Sequence, residues 1–158
     1  MQYRIGSGLD THKLEEGTHL IIGGVSIPFH KKSKGHSDGD VLFHAIVDAI
    51  LGSLSLGDLG RYFPSDNSKW KNADSRIFLE HAFKLINEKG YSIENIDATI
   101  ILQEPIISPH ILLMREEIAS ILSADLGQIS IKATTTDKLG FIGKGEGIAA
   151  AASVLIKK

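Results

Sequence analysis

Between residues 40 and 54, hydrophobic side chains recur every three or four positions, which predicts an amphipathic helix. Ser37 or Asp38 is available as its N-cap. The first 30 residues instead alternate short β-type runs with pairs of glycines, the pattern of strands joined by tight turns. This pattern predicts a strand over 3–9 and a hairpin formed by 19–22 and 25–27.

The rest of the chain continues to alternate between strand-like and helix-like patterns. Residues 57–73 follow neither period and are rich in Gly, Pro, Ser and Asn, so we predict a long exposed loop whose 61–73 part is a candidate lid. The other predicted elements are helices over 74–89 and 110–126 and strands over 91–103, 128–135 and 147–156.

This order lacks the strict βαβαβ regularity of a doubly wound sheet. We therefore predict an α+β fold, a two-layer sandwich in which a mixed β-sheet carries helices packed on one face. The 158 residues correspond to one domain, 1–158. The nearly uncharged last strand would be poorly placed facing water, so we expect the chain to form oligomers.

The composition excludes several classes of protein. Without cysteine the chain has no disulfide or thiolate metal site, so His, Asp or Glu must hold any metal. The net charge of −2 argues against nucleic acid or an anionic membrane as a partner. No apolar run is long enough for a membrane span, and no signal or transit segment is visible. We expect a cytoplasmic protein, or a plastid-type one from which a transit peptide has been removed.

Two separated segments carry residues that could bind one metal ion. Asp10 and His12 lie on the same face of the predicted first strand, because side chains alternate along a strand. Asp40, His44 and Asp48 form a polar stripe opposite the apolar face of the predicted helix. If the strand and helix meet, Asp10, His12 and His44 would leave a fourth position open, as in a catalytic zinc site. Alternatively, His12 caps a turn and His44 is an exposed helix residue.

Three further segments offer weaker signals. Residues 132–138 combine hydroxyl, ammonium and carboxylate groups, which suits a phosphate chain carrying a divalent ion, although threonine is also an ordinary strand former. Residues 143–147 are rich in glycine but precede no helix, so a simple bend between strands is the better interpretation. Asp58 and Asp66 could bind the hydroxyls of a sugar or polyol, or only keep the long loop solvated.

Taken together, these motifs resemble 2-C-methyl-D-erythritol 2,4-cyclodiphosphate synthases, in the same order and spacing and over essentially the whole chain. The matching segments are 10–12, 36–40, 56–60, 73–76, 132–136 and 143–147. The resemblance implies a homotrimer with active sites between adjacent subunits, acting in the non-mevalonate isoprenoid pathway. Its substrate would be 4-diphosphocytidyl-2-C-methyl-D-erythritol 2-phosphate, and its products the 2,4-cyclodiphosphate and CMP.

The resemblance also implies roles for individual residues. Asp10, His12 and His44, called the Asp-His-His cluster below, would hold Zn²⁺. His36 and Thr135 would be catalytic, with Asp137 assisting a second divalent ion, Mg²⁺ or Mn²⁺, on the substrate diphosphate. The residues implied to bind substrate are Ser37, Asp58, Gly60, Phe63, Pro64, Ser65, Asp66, Asn67, Leu102, Ile106, Ile107, Ser108, Ala133, Thr134, Thr136, Phe141 and Lys144. Residues 63–67 would hold the methylerythritol, and residues 102–108 the cytosine.

Three positions depart from the family's usual residues. Asp137 replaces the usual Glu and is one methylene shorter, Lys144 replaces an Arg that could bind phosphate in a bidentate manner, and Ile106 replaces a frequent Lys. Two other functions stay open from the sequence: a metal-dependent phosphohydrolase that uses water as nucleophile, and a non-catalytic trimeric nucleotide-binding module.

Overall fold

The computed structural model describes all 158 residues and contains seven strands and five α-helices. The strands are β1 (Tyr3–Glu16), β2 (His19–Ile22), β3 (Val25–Pro28), β4 (Lys31–Ser33), β5 (Ser92–Ile101), β6 (Ile129–Thr134) and β7 (Gly147–Lys157). The α-helices are α1 (Val41–Ser53), α2 (Leu59–Tyr62), α3 (Arg76–Glu88), α4 (Ile111–Leu122) and α5 (Gly140–Gly143). Single 3₁₀ turns lie at Ser68–Trp70, Ser108–His110 and Leu126–Gln128.

Five strands form one mixed sheet in the order β4-β1-β7-β5-β6, and β2 and β3 form a separate hairpin. Neighbouring strands are antiparallel except β5 and β6, which are parallel. Helix α1 lies against β1 and β7, and α3 packs on α1 and α4. The α+β prediction of a mixed sheet with helices on one face is therefore confirmed. None of the helices combines the length and apolar character needed to cross a membrane.

The opposite face of the sheet is not covered within this chain. Ile5 and Leu9 point away from the helices and are 74% and 67% exposed. The neighbouring β7 contributes small or apolar residues to the same face, with Leu155 beside Ile5 and Ala151 beside Leu9. Two large apolar side chains on one face of a strand are costly to leave in water, and the oligomer stays a prediction.

Several element boundaries differ from the sequence prediction. Strand β1 continues to Glu16 rather than ending near residue 9, because it pairs first with β7 and then with β4. Helix α4 ends at Leu122 and not at 126, since Ser123 takes a left-handed conformation with φ of 49° and stops the helix. The predicted loop 57–73 contains α2 and one 3₁₀ turn, and α5 occupies part of the loop before β7.

The prediction that α1 has a polar stripe opposite an apolar face is wrong. Helix α1 is a central helix, and 11 of its 13 residues are buried, His44 among them. The N-cap is Asp40, not Ser37 or Asp38, and it is fully buried. Its carboxylate accepts hydrogen bonds from the backbone N–H groups of Leu42 and Phe43 in α1 and from those of the glycine pair 23–24 between β2 and β3. Asp40 therefore fastens the hairpin to the start of α1.

Helix α1 approaches β1 at two glycines more closely than any other residue would allow. A Cβ atom at Gly6 would lie 1.8 Å from the carbonyl oxygen of Ala49, and one at Gly8 would lie 2.0 Å from that of Ala45. Both contacts are to helix backbone, so a side chain could fit only if the helix moved. The glycines set the distance between strand and helix, and hence the distance from Asp10 to His44.

Gly8→Ala is expected to destabilise the protein by about 3 kcal/mol, because the added methyl group forces α1 away from the sheet. The same displacement should weaken metal binding by the Asp-His-His cluster, because it separates His44 from Asp10. Chemical denaturation and zinc titration measure the two effects. Gly52→Ala in α1 is the matched control, since its nearest neighbour would be 3.8 Å away. If the free energies of unfolding of Gly8→Ala and Gly52→Ala are equal, the close approach of α1 to Gly8 does not position the helix.

Candidate metal centre and active site

Strand β1 and helix α1 bring together Asp10, His12 and His44, and no other group of three His, Asp or Glu residues in the chain has this geometry. The Nε2 atom of His12 lies 2.5 Å from the Oδ2 atom of Asp10, which is 3.0 Å from the Nδ1 atom of His44. The two ring nitrogens are 3.2 Å apart. The alternative in which His44 is an exposed surface residue is wrong, because its side chain is only 11% exposed.

The other nitrogen of each ring is already occupied. The Nδ1 atom of His12 lies 3.2 Å from the carbonyl oxygen of Lys34, which can only accept a hydrogen bond. Nδ1 therefore carries a proton, and in the neutral ring the lone pair lies on Nε2, facing the cluster. The Nε2 atom of His44 contacts the hydroxyl groups of Ser75 and Ser37. Such partners orient histidine ligands in metal sites.

The charge distribution of the cluster suits a cation. Burial alone would raise the pKa of Asp10, but hydrogen bonds and charge interactions with both histidines hold it well below its ordinary value. Burial tends to lower the pKa of His12, whereas its hydrogen bond to Asp10 and the carboxylate charge raise it overall. A tetrahedral zinc site with bonds of roughly 2.0–2.1 Å separates its ligand atoms by about 3.3 Å, close to the distance between the two ring nitrogens. The donor set therefore fits zinc with one position open.

The apparent zinc affinity of the cluster should rise with pH. Zinc binds only the deprotonated imidazole, and the pKa of His12 is raised, so below that pKa each pH unit should increase affinity about tenfold. The stability of the metal-free protein should change with pH in the opposite direction. Protonated His12 stabilises the fold below its unfolded pKa of about 6.5, and this contribution is lost as the pH rises through the folded pKa. Competition with a chelator at pH values below and above the unfolded pKa measures the zinc affinity. An affinity that does not change with pH would contradict the assignment of His12 as a zinc ligand.

The cluster forms part of the wall of an open cavity of about 200 Å³, called the cluster cavity. Its other lining residues are His36, Ser37, Leu59, Phe63, Ser65, Trp70 and Phe78. The ring of Phe63 lies 4.8 Å from that of Trp70 and 4.3 Å from that of Phe78, between centroids. This aromatic wall attaches the loop 57–73 to α3 and gives the polar cluster an apolar side.

The remaining loop residues predicted to bind substrate lie around this cavity without lining it. Asp58 caps α2 by accepting the backbone N–H of Arg61, and Gly60 lies in the first turn of α2. The carbonyl oxygen of Asn67 accepts a hydrogen bond from the Nε2 atom of His36, which ties the loop to the segment before α1. Pro64 and Asp66 lie on the same loop, and Asp66 is exposed.

A second cavity, of about 260 Å³, lies where β5 and β6 end, and we call it the strand-end cavity. It is lined by Leu102, Gln103, Pro105, Ile106, Ile107, Ser108, Ala133, Thr134 and Thr135. The backbone N–H of Leu102 donates to the carbonyl oxygen of Thr134, which holds the two strand ends together. No residue lines both cavities, so the structure separates the predicted cytosine site from the Asp-His-His cluster within one chain.

Besides the loop residues described above, four more predicted residues line neither cavity. The Thr136 hydroxyl donates to the Leu139 carbonyl, and Asp137 is exposed with a left-handed φ of 52°. Phe141 borders a shallow depression beside His12, and Lys144 lies in another depression, which the loop before β7 forms together with residues 29–31 and 103–104. Asp137 is therefore not part of the Asp-His-His cluster.

Some residues at or beside the site were not predicted from the sequence. Ser75, Trp70 and Phe78 were given no role, although residues 73–76 belong to a segment that carries the family resemblance. No role was predicted for His81 either, which packs against the rings of Tyr62 and Phe63 and whose Nε2 atom is buried without a hydrogen-bond partner. Only the tertiary packing of the loop on α3 reveals these contacts.

Fold and site together define the class of the protein as an α+β enzyme with a candidate metal centre, and comparison with known proteins identifies the family. Residues 3–157 match the model of the YgbB family. A Bacillus velezensis protein named 2-C-methyl-D-erythritol 2,4-cyclodiphosphate synthase is 53% identical over 156 residues, 99% of each chain. The chain belongs to this family of cyclodiphosphate synthases.

Solved structures agree with this assignment. The bifunctional IspDF from Campylobacter jejuni is similar with a TM-score of 0.95 and 42% identity, and the match covers 99% of this chain but only 42% of that longer one. The IspF CDP complex from Plasmodium falciparum gives a TM-score of 0.85 at 40% identity, covering 98% of this chain and 95% of the other. The latter relative binds a cytidine nucleotide.

Proposed function

We propose that this protein converts 4-diphosphocytidyl-2-C-methyl-D-erythritol 2-phosphate to 2-C-methyl-D-erythritol 2,4-cyclodiphosphate and CMP, a step of isoprenoid biosynthesis. The observation that carries the proposal is the convergence of Asp10, His12 and His44 on one point of an open cavity. It occurs in a chain 53% identical to a protein named for this product.

The reaction is an intramolecular phosphoryl transfer. An oxygen of the 2-phosphate attacks the β-phosphorus in line, the new P–O bond closes the ring, and the bond to CMP breaks. CMP leaves as a phosphate anion and needs almost no protonation, so no strong general acid is required. The protein must fold a flexible substrate into the attacking geometry and offset several negative charges.

The cluster cavity supplies the groups for the reacting end of the substrate. Asp10, His12 and His44 would hold zinc, while His36 and Ser37 face the same cavity and contact the reacting phosphates. Zinc on one phosphate, with Mg²⁺ or Mn²⁺ on the diphosphate, would withdraw negative charge from the phosphate oxygens. The aromatic wall shields one side of the cavity from water, which matters because hydrolysis of the same anhydride competes with ring closure.

The loop 57–73 binds the methylerythritol in this proposal. Asp58 and Gly60 offer a carboxylate and backbone groups to its hydroxyls, residues 63–67 hold it as well, and the 61–73 part of the loop is the candidate lid. The Phe63 side chain is buried against α3, whereas residues 65–69 beyond it are exposed. A substrate could therefore be enclosed without unfolding α3.

The strand-end cavity binds the cytidine part of the substrate. Its apolar floor and free backbone groups at the ends of β5 and β6 suit a flat base, and a relative of similar fold binds CDP. Ile106 is 81% exposed and offers no charge, so backbone groups of 102–108 select cytosine. Thr134, Thr135 and Thr136 contact the diphosphate, with Asp137 near its divalent ion. Phe141 and Lys144 lie beside the phosphates in this proposal.

The active unit is a homotrimer in which each site combines the cluster cavity of one subunit with the strand-end cavity of the next. Two features support this: the cavities share no residue within one chain, and the sheet exposes Ile5 and Leu9 on its uncovered face. A metal-dependent phosphohydrolase and a non-catalytic module are not favoured by the relatives' names. The cytoplasmic or plastid-type location stays a prediction.

Removal of metal tests the reaction. Protein treated with a strong chelator and desalted should release no CMP from the substrate, and Zn²⁺ together with Mg²⁺ should restore release, because the carboxylates and imidazoles alone cannot neutralise the phosphates. Chromatographic measurement of CMP gives the rate. Release of CMP at an undiminished rate from protein verified to be metal-free would contradict the proposed mechanism.

A further inference from the structure

Ser75, at the start of α3, is fully buried and contacts a residue of the Asp-His-His cluster. Its Oγ atom lies 2.9 Å from the Nε2 atom of His44 and 2.5 Å from the Oδ1 atom of Asp38. A serine at this position ordinarily caps the helix with its hydroxyl group. Here its side chain makes no capping hydrogen bond, so helix formation does not account for the orientation of the hydroxyl group.

The directions of the hydrogen bonds follow from the chemistry of the three groups. An ionised Asp38 can only accept, so the single hydroxyl proton of Ser75 is donated to it. The Ser75 oxygen must then accept a hydrogen bond from the N–H group at Nε2 of His44. The proton of a neutral His44 is thereby kept on Nε2, and its Nδ1 lone pair faces Asp10 and His12.

Without these contacts a competing arrangement is available. Asp10 lies 3.0 Å from the Nδ1 atom of His44, so its carboxylate attracts the same ring proton to Nδ1. That tautomer would block the nitrogen that faces the cluster. Ser37 also lies 3.1 Å from Nε2, but its Oγ atom lies 3.3 Å from the Ser75 oxygen as well, and no carboxylate contacts the Ser37 hydroxyl group to fix the direction of its proton.

The backbone holds Asp38 and Ser75 in place. The N–H of Ser75 donates to the Oδ2 atom of Asp38, and the N–H of Asp38 donates to the carbonyl oxygen of Ala73. The N–H of Asn72 donates in the same way to His36. Residues 36–38 and 72–75 are thus joined by several hydrogen bonds, so the carboxylate and hydroxyl reach His44 in a defined geometry.

We propose that Ser75 and Asp38 are positioning residues, a hydrogen-bonded pair that fixes the orientation and tautomer of His44 and thereby sets the zinc affinity of the cluster. They act through His44 and touch neither metal nor substrate. The inference rests on the metal site of the proposed function. It gives a role to the 73–76 segment, for which the family resemblance supplied none.

The test compares zinc affinities of folded, metal-free variants by competition with a chromophoric chelator. Ser75→Ala and Asp38→Asn should each weaken zinc binding 10- to 100-fold, the usual range for such partners. The control is Ser53→Ala, another buried serine, whose hydroxyl donates to the Ile50 carbonyl far from the cluster. It should leave zinc affinity unchanged. Excess zinc should restore much of the turnover of the two weakened variants, which a general loss of folding would not allow.

Thermal unfolding of each metal-free variant separates positioning from stability. If Ser75→Ala does not fold, Asp38→Asn decides, because it keeps the size of the side chain and one acceptor for the Ser75 backbone N–H. Zinc affinities of both variants within about threefold of the wild type would overturn the positioning role while leaving the metal site intact. A wild-type protein that binds no zinc would overturn the metal site and this inference together.

Discussion

His44→Ala is expected to abolish stoichiometric zinc binding and to lower turnover by about a thousandfold or more. The substitution leaves only Asp10 and His12, and two protein ligands do not hold zinc in a catalytic site. A metal that stabilises the charge of phosphate oxygens contributes several kcal/mol, and about 4 kcal/mol corresponds to a thousandfold in rate. Metal analysis of the purified protein and the rate of CMP release measure the two losses.

The control for this substitution is His19→Ala, which removes an exposed histidine in β2. It should keep both zinc and activity. Circular dichroism should show native secondary structure in both variants, because His44 is a single side chain on a helix held by its apolar neighbours. A His44→Ala protein that retains full activity would contradict the role of the cluster.

Mixed trimers of His44→Ala and Thr135→Ala subunits should recover activity that neither variant has alone. The first substitution damages the cluster cavity and the second the strand-end cavity, and these belong to different subunits of one active site in the proposed trimer. Random assembly of equal amounts restores about a quarter of the sites, since one site in four pairs two intact halves. Co-expression, purification and measurement of CMP release test this.

Each variant expressed alone is the necessary control, and sizing by light scattering should give a trimer in every case. Mixed trimers with no activity above the single variants would mean that both cavities serve one site within a chain. The homotrimer would then have to be abandoned as the unit that completes the active site. A monomer in solution would contradict the same part of the proposal.

The local part of the metal site could be predicted from sequence, whereas its assembly could not. Strand alternation places Asp10 and His12 on one face, and helical spacing places His44 on α1. Whether the strand and the helix meet depends on the close approach of their backbones at Gly6 and Gly8, which the spacing of hydrophobic residues does not predict. The sequence therefore identified the residues, and packing brings them together.

Other features depended on contacts distant in sequence. Asp40 reads as part of a polar stripe, yet it is buried because hairpin and helix N–H groups converge on its carboxylate. Burial raises its pKa to about 6 despite those bonds. His81 looks solvent-exposed on α3 until the loop 57–73 folds over it. In each case a polar group is buried by a segment that local patterns cannot place.

Ring closure is tested most directly by ³¹P NMR of the reaction mixture. Zinc-loaded protein with Mg²⁺ and the cytidyl diphosphate substrate should produce CMP and a cyclic diphosphate in equal amounts, with no linear phosphate accumulating. The cyclic product identifies the 2-phosphate, not water, as the nucleophile. CMP accompanied only by linear phosphates would contradict the account and establish a hydrolase.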